Sequence, residues 1–330
     1  MSQKKIPITV VLGTGGTIAG VRHSHENPDI YQSGQLGITD ILDKAGVDGS
    51  GIEFQDVARM DSKNMGLPVW QALLAAVQAA QQRDEVGAVL VTHGTDTIEE
   101  TAYLLHAMGP WPKPLLLTCA MRPADHPQAD GPEHLRQALL LANTPGVRGV
   151  YVVFRGQAHA ALQVQKISTD AESAFSSGSA GCWAAFNSGI WQRLQPEQDP
   201  GAQLDVPSLA YFLQQTDWPR VEWLTHHAGS TTAVLEALLQ TELAVSGLRG
   251  LVVAGTGAGT VNTAWEGKLQ LAQSRGVKVW LTSRCAWGRA LPQAQQRCGE
   301  LTDLPPAKAC MALALALMAQ DEKESAAQRF

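Results

Sequence analysis

The chain has 330 residues, 45% of them hydrophobic and 17% charged. That balance supplies cores for about two domains and excludes a disordered or fibrous chain. A formal charge of −6, from 25 Lys+Arg against 31 Asp+Glu, offers no electrostatic footprint for nucleic acid or an anionic membrane.

Apolar runs and amphipathic stretches alternate along the chain. Ile8–Leu12 reads as a buried strand running into glycines. Trp70, Leu73, Leu74 and Val77 share one helical face. Val86–Val91 predicts a second strand, followed by the capping-box pattern Thr97-x-x-Glu100 and a helix through Met108. Leu115–Thr118 and Val150–Phe154 read as strands, and Pro132 opens a helix to Ala142 between them. The Pro-, Gly- and Gln-containing stretch Gln195–Pro207 reads as a linker. Alternation then resumes with strand Val221–Thr225, helix Thr232–Leu239, strand Gly250–Ala254, helix Val261–Ala272, strand Val277–Thr282 and helix Ala307–Met318. These units predict an α/β fold with mostly parallel sheets. The expected organisation is a larger N-terminal domain over 1–194, a linker over 195–218 and a smaller C-terminal α/β domain over 219–330.

The short apolar run after Lys5 predicts no signal peptide, and Ala309–Ala319 is too short to span a bilayer. Five scattered cysteines form no CxxC pair and no zinc spacing, which favours reduced thiols and a cytoplasmic chain. GxSxG, GxxxxGK[ST] and HExxH are all absent.

Loops after the predicted strands hold the chemistry-bearing residues, since open α/β sheets place sites there. Gly13-Thr14-Gly15-Gly16-Thr17 offers a sharp turn, backbone N–H groups and a hydroxyl that becomes a nucleophile if its proton is removed. A Gly-rich turn with a capping Thr explains it equally well. Thr92-His93-Gly94-Thr95-Asp96-Thr97 sets hydroxyls beside a carboxylate, which suits a proton relay. Capping explains one of those residues but not the run. Met121-Arg122-Pro123 and Asp130-Gly131-Pro132 read alone as a loop and a helix start. Gly255-Thr256-Gly257-Ala258-Gly259 lacks the third fingerprint Gly and a ribose-binding acid, so a dinucleotide site is not expected.

Together the loops resemble the bacterial-type L-asparaginases, including the glutaminase-asparaginases, over roughly residues 6–320. The resemblance rests on Thr14-Gly15-Gly16-Thr17-Ile18-Ala19-Gly20, on the run from His93 to Ala102, and on Ala120-Met121-Arg122-Pro123 with Ala129-Asp130-Gly131-Pro132. It implies hydrolysis of a side-chain amide to a carboxylate and ammonia, with no metal or cofactor, in a homodimer or homotetramer. By position it makes Thr17 the acylated nucleophile and Tyr31 the residue assisting it. Thr95, Asp96 and Lys166 form the second catalytic group. Gly16, Asp61, Ser62, Lys63, Ala120, Thr260 and Gln295 would contact substrate, with backbone N–H groups of the Thr17 loop and the Ala120 region as the oxyanion hole.

The pattern departs from the family at three positions that bear on one function. Lys63, Thr260 and Gln295 stand where relatives acting on free asparagine carry groups that hold its α-ammonium. A cation at Lys63 would repel that ammonium. A substrate without a free α-ammonium is therefore an alternative to asparagine, as is a catalytically weak small-molecule-binding homologue. An amidotransferase subunit acting on transfer RNA is disfavoured by the lack of a basic stripe.

Overall fold

The chain divides into two units, Met1–Ala202 and Gln203–Phe330, in a computed structural model that describes residues 7–23, 30–196, 205–240, 247–293 and 298–328. In the first unit β1 (Ile8–Gly15) is followed by a small ribbon, β2 (Val21–Arg22) and β3 (Tyr31–Gln32), then α1 (Ile38–Lys44) and β4 (Ile52–Met60). Next come α2 (Leu67–Gln81), β5 (Val86–Thr92), α3 (Ile98–Ala107), β6 (Leu115–Thr118), α4 (Gly131–Ala142) and β7 (Val150–Phe154). The unit ends with β8 (Gln157–Ala160), a ribbon of β9 (Gln165–Lys166) and β10 (Phe175–Ser176), then β11 (Ala184–Asn187) and β12 (Ile190–Arg193).

The main sheet has the order β12-β11-β8-β7-β6-β5-β1-β4. The five strands from β4 to β7 are mutually parallel, and β8, β11 and β12 extend that edge antiparallel. Helices cover the parallel part because its strands are apolar on both faces. Val11, Ala88, Leu90, Leu116 and Tyr151 form one cluster with Ile38, Ile41 and Leu42 of α1 and Leu135 and Leu139 of α4. Val10, Leu12, Val89 and Val91 alternate to the opposite face and are also buried; α2 and α3 pack on this sheet as well. The α2 stripe is as its spacing predicts: Leu73, Leu74 and Val77 are fully buried.

The second unit holds α5 (Leu209–Phe212), β13 (Arg220–Thr225), α6 (Ala233–Gln240), β14 (Leu248–Gly255), α7 (Thr263–Ser274), β15 (Lys278–Ser283), β16 (Glu300–Leu301) and α8 (Pro306–Ala327). Its sheet, β13-β14-β15-β16, is parallel throughout. Leu251 and Val253 pack with Leu235, Trp265 and Leu269 on one face. Val252 packs with Ala309, Leu313 and Leu317 of α8 on the other. The apolar stretch Ala309–Ala319 is thus a core helix, and no helix among the described residues is long and apolar enough to cross a membrane.

Several elements differ from the sequence reading. α7 starts at Thr263 rather than Val261, because the Asn262 side chain caps it by accepting from Trp265 N. α8 runs nine residues past Met318, to Ala327. α4 begins at Gly131, leaving Pro132 second. Residues 197–204 of the predicted linker lie outside the described residues, and the short helix α5 (Leu209–Phe212) occupies part of the rest. Leu90 is fully buried in β5, so Leu90→Ala should lower stability by about 2–5 kcal/mol, read as an earlier urea transition than the parent's.

Candidate active site

β1 lies between β4 and β5; the chain leaves β1 toward β4 but leaves its neighbour β5 in the opposite direction, toward β6. A crevice opens outside the carboxyl ends of strands at such a reversal. Gly15 pairs with Met60, Gly13 with Thr92, and Thr92 with Thr118, which aligns the ends of β4, β1, β5 and β6 along one rim.

The loops at that rim meet through glycines. Gly15 (φ +96°) leaves no room for a side chain: a β-carbon there would stand 2.5 Å from Met60 N and O. On Gly16 (φ +81°) it would stand 2.3 Å from Gly94 Cα, and on Gly94 2.4 Å from Ser62 Oγ. The loops after β1, β4 and β5 therefore interlock at contact distances only glycine allows. Gly16 N–H is consumed in this junction, donating to Met60 O at 2.8 Å. That N–H is therefore not free to donate to a substrate, and any contact expected of Gly16 falls to its other atoms.

Two hydroxyl clusters follow directly. Thr17, 5% exposed, opens a 3₁₀ turn over Thr17–Ala19. Its Oγ1 lies 2.8 Å from Tyr31 Oη, and the β2–β3 ribbon brings Tyr31 back over the turn, with Arg22 opposite Tyr31. After β5, Lys166 Nζ donates to Thr95 Oγ1 at 2.9 Å and to Asp96 Oδ1 at 2.6 Å. Lys166 is delivered by the β9–β10 ribbon, where it pairs with Phe175. Its backbone N–H donates to Glu99 Oε2 at 3.3 Å, which ties the ribbon to α3. Thr95, Asp96 and Lys166 are thus in contact as expected, and a hydroxyl held between an amine and a carboxylate can pass a proton.

The β4 loop carries Asp61, Ser62 and Lys63. Ser62 is buried, and its carbonyl accepts from Thr97 Oγ1 at 2.8 Å. The expected capping box is therefore not made: Thr97 sits at the N-cap of α3 without a side-chain cap bond, because its hydroxyl tethers the β4 loop instead. Lys63 is not the unopposed cation the sequence suggests. Its Nζ lies 3.0 Å from Asp61 Oδ2, and that hydrogen bond raises its pKa further above the usual value.

On the other side, after β6, Asp130 accepts from Met121 N and Arg122 N, both at 2.9 Å. Those two N–H groups are thereby unavailable to an oxyanion hole, which leaves Ala120 N–H as the donor expected of that region. Ala120 itself is fully buried. Burial pushes the Cys119 thiol well above its ordinary pKa, so it is no nucleophile at neutral pH. The sequence reading took Asp130 and Thr97 for helix starts and missed their work as loop tethers. Their side-chain partners lie 8 to 35 positions away, a range that local patterns do not encode. Thr260 lies in the second unit, where its hydroxyl donates to Thr256 O at 3.1 Å. Gln295 falls outside the described residues. Among the described residues no three His, Cys, Asp or Glu side chains converge to hold a metal ion.

Residues 9–198 match the family model "Asparaginase, N-terminal", and residues 220–330 match "Glutaminase/Asparaginase C-terminal domain". A Haemophilus influenzae protein named "Probable L-asparaginase periplasmic" is 31% identical, covering 88% of this chain and 81% of its own. A Pseudomonas fluorescens "Glutaminase-asparaginase" is 29% identical, covering 98% and 90%. The crystal structure of "Probable Cytoplasmic L-asparaginase" from Campylobacter jejuni superposes with a TM-score of 0.82 at 29% identity, covering 96% of this chain and 98% of that one.

Gly16→Ala should abolish activity without a pH remedy, since the added carbon drives the two threonine loops apart; steady-state assays from pH 6 to 9 check this. His93 gives a second prediction. It is fully buried with Nδ1 2.8 Å from Gly94 O, and burial lowers its pKa from 6.5 to about 4. Between those values the unfolded chain binds more protons, so stability is complete above pH 6.5 and falls as pH drops toward 4. The loss is on the order of 3 kcal/mol. Urea midpoints at pH 7.5 and 4.5 should differ less in His93→Gln than in the parent.

Proposed function

Because the chain belongs to the asparaginase family, we propose that it is an amidohydrolase cleaving the side-chain amide of asparagine, or of glutamine, to a carboxylate and ammonia. The observation that carries this reading is the pair of hydroxyl clusters on one glycine-locked rim: Thr17 with Tyr31, and Thr95 with Lys166 and Asp96.

Thr17 Oγ1 attacks the amide carbon after losing its proton, with Tyr31 Oη as the adjacent proton partner. Thr17 N–H, at the start of a 3₁₀ turn, is among the donors such a turn leaves without internal partners, which suits the developing oxyanion. Ammonia leaves with a proton, and an ester on Thr17 remains. Water then attacks that ester, activated through Thr95, whose hydroxyl lies between the Lys166 amine and the Asp96 carboxylate. Gly16 and Ser62 floor the crevice, Asp61 and Lys63 rim it on the β4 side, and Ala120 bounds it on the β6 side.

Free asparagine or glutamine is favoured over a substrate lacking an α-ammonium. A bare cation at Lys63 would disfavour the ammonium, but Asp61 offsets that charge. Retention of both hydroxyl clusters likewise favours an enzyme over a weak binder. The same reading includes a catalytic domain over 1–194, a linker over 195–218 and a C-terminal α/β domain over 219–330, in a homodimer or homotetramer. It includes a cytoplasmic location, supported by five free cysteines and by likeness to the Campylobacter protein; the Haemophilus relative is named as periplasmic.

Ammonia release from asparagine and glutamine tests the reading. Thr17→Ala should lower kcat by about a thousandfold or more, and Lys166→Met by about a hundredfold or more. Undiminished release in Thr17→Ala would overturn the acyl-threonine step.

A further inference from the structure

A cleft of about 390 Å³ borders the crevice on its β6 side. Tyr31 and Met121 form its inner wall, and Arg122, Arg155, Asp170 and Glu172 are among the residues lining it beyond. Its size suits a small molecule. The catalytic scheme leaves this space unused.

Its charges are arranged in an unusual way. Glu172 accepts from Arg122 Nη2 at 3.3 Å and pairs with Arg155 Nη1 at 2.7 Å, so one carboxylate faces two guanidiniums. The other carboxylates are engaged elsewhere. Asp130 takes two backbone N–H groups, and Asp170 accepts from Ser168 Oγ at 3.2 Å. Each guanidinium carries five N–H donors. The contacts above use one in Arg155; with Gln128 O, they use two in Arg122. The lining holds three carboxylates and two guanidiniums, and the guanidinium N–H groups left over from these contacts can take a further carboxylate.

Arg155 is also held in a costly place. It and Gly156 form the two-residue turn between β7 and β8, with φ of +45° and +68°. Such turns favour Asn or Asp followed by Gly, since a larger side chain is disfavoured in the left-handed region. Arg155 thus occupies a turn position that costs it more than Asn would, and its head group reaches the cleft wall.

The sheet order gives the cleft its direction. The proposed substrate's α-groups sit toward the β4 loop, with Ser62 and Lys63. With Thr17 after β1 attacking the amide carbon, the amide nitrogen is taken to lie on the far side from Ser62, toward the β6 loop. A group attached to the amide nitrogen would leave the crevice past Tyr31 and Met121 and enter the cleft.

We propose that this cleft is a leaving-group subsite and that the enzyme also cleaves β-aspartyl amides whose nitrogen belongs to an amino acid, the Arg122–Arg155 pair binding that amino acid's carboxylate. The inference rests on the acyl-threonine reading above. Thr17 Oγ1 forms an ester bond to the β-carbonyl carbon and the C–N bond breaks. Its electron pair stays on nitrogen, which takes a proton and departs as the free amino acid. Water then hydrolyses the ester to aspartate, so no oxidant or further co-reactant is required.

The test uses β-aspartyl-alanine, its C-terminal amide and asparagine, with the parent chain and Arg155→Asn. Asn is a favoured residue at that turn position, so the variant keeps the fold, and asparagine hydrolysis within about twofold of the parent verifies it. The parent should release alanine from β-aspartyl-alanine. KM for that substrate should rise about tenfold in Arg155→Asn, and the C-terminal amide should not distinguish the two proteins. Ammonia from asparagine without alanine from the dipeptide would overturn the subsite and leave the asparaginase reading standing. An unchanged KM in Arg155→Asn would also overturn it. Alanine release without ammonia from asparagine or glutamine would overturn the asparaginase reading and keep the subsite.

Discussion

Gly16 and Gly94 bring the ends of β1 and β5 closer than any β-carbon permits, and both proposed catalytic threonines follow them by one residue. A threonine placed one position after a fixed backbone contact has little freedom left in where its hydroxyl points. Gly15 and Ser62 extend the same contact to the β4 loop, so three strands that are neighbours in the sheet become one rigid rim. Proximity of this kind does for a pair of hydroxyls what no side-chain hydrogen bond could, because the backbone itself sets the separation.

The charges around that rim are arranged in local pairs. Lys166 faces Asp96, Lys63 faces Asp61, and Glu172 answers two arginines. Asp96 is about half exposed, with 54% of its side chain accessible, and exposed pairs add little to folding stability. Their value lies in position: each amine or guanidinium is aimed at a defined atom. The net charge of the chain, by contrast, does not influence any of these contacts.

The α/β alternation was legible wherever a strand is buried on both faces. VYVVF and LLLT read as strands from composition alone, and both occupy the predicted spans. β4 was not legible, because IEFQDVARM is an edge strand with most side chains exposed and no continuous apolar run. β8, β11 and β12 are four residues each, too short for a period-2 signal to rise above the surrounding loops. In the site, the threonines, the lysine and the aspartate were found through whole-motif resemblance. The tethers were not: a Thr at an N-cap looks the same whether it caps its own helix or holds a carbonyl 35 positions back. Lys63 shows the opposite limit, since a cation read in isolation says nothing about the carboxylate two residues before it.

The Lys166 ribbon also bears on when the site comes into being. Thr95 and Asp96 lie about seventy positions before the amine that contacts them. The ribbon that presents it closes only when Phe175 pairs with Lys166. Long-range closures of this kind come late in assembly, after the entropy of the intervening chain has been overcome. A growing chain would hold Thr17, Tyr31 and Thr95 well before the amine that contacts Thr95. On the proposed mechanism the half-made crevice would therefore lack its water-activating group during synthesis, and that group would arrive with the second half of the first unit.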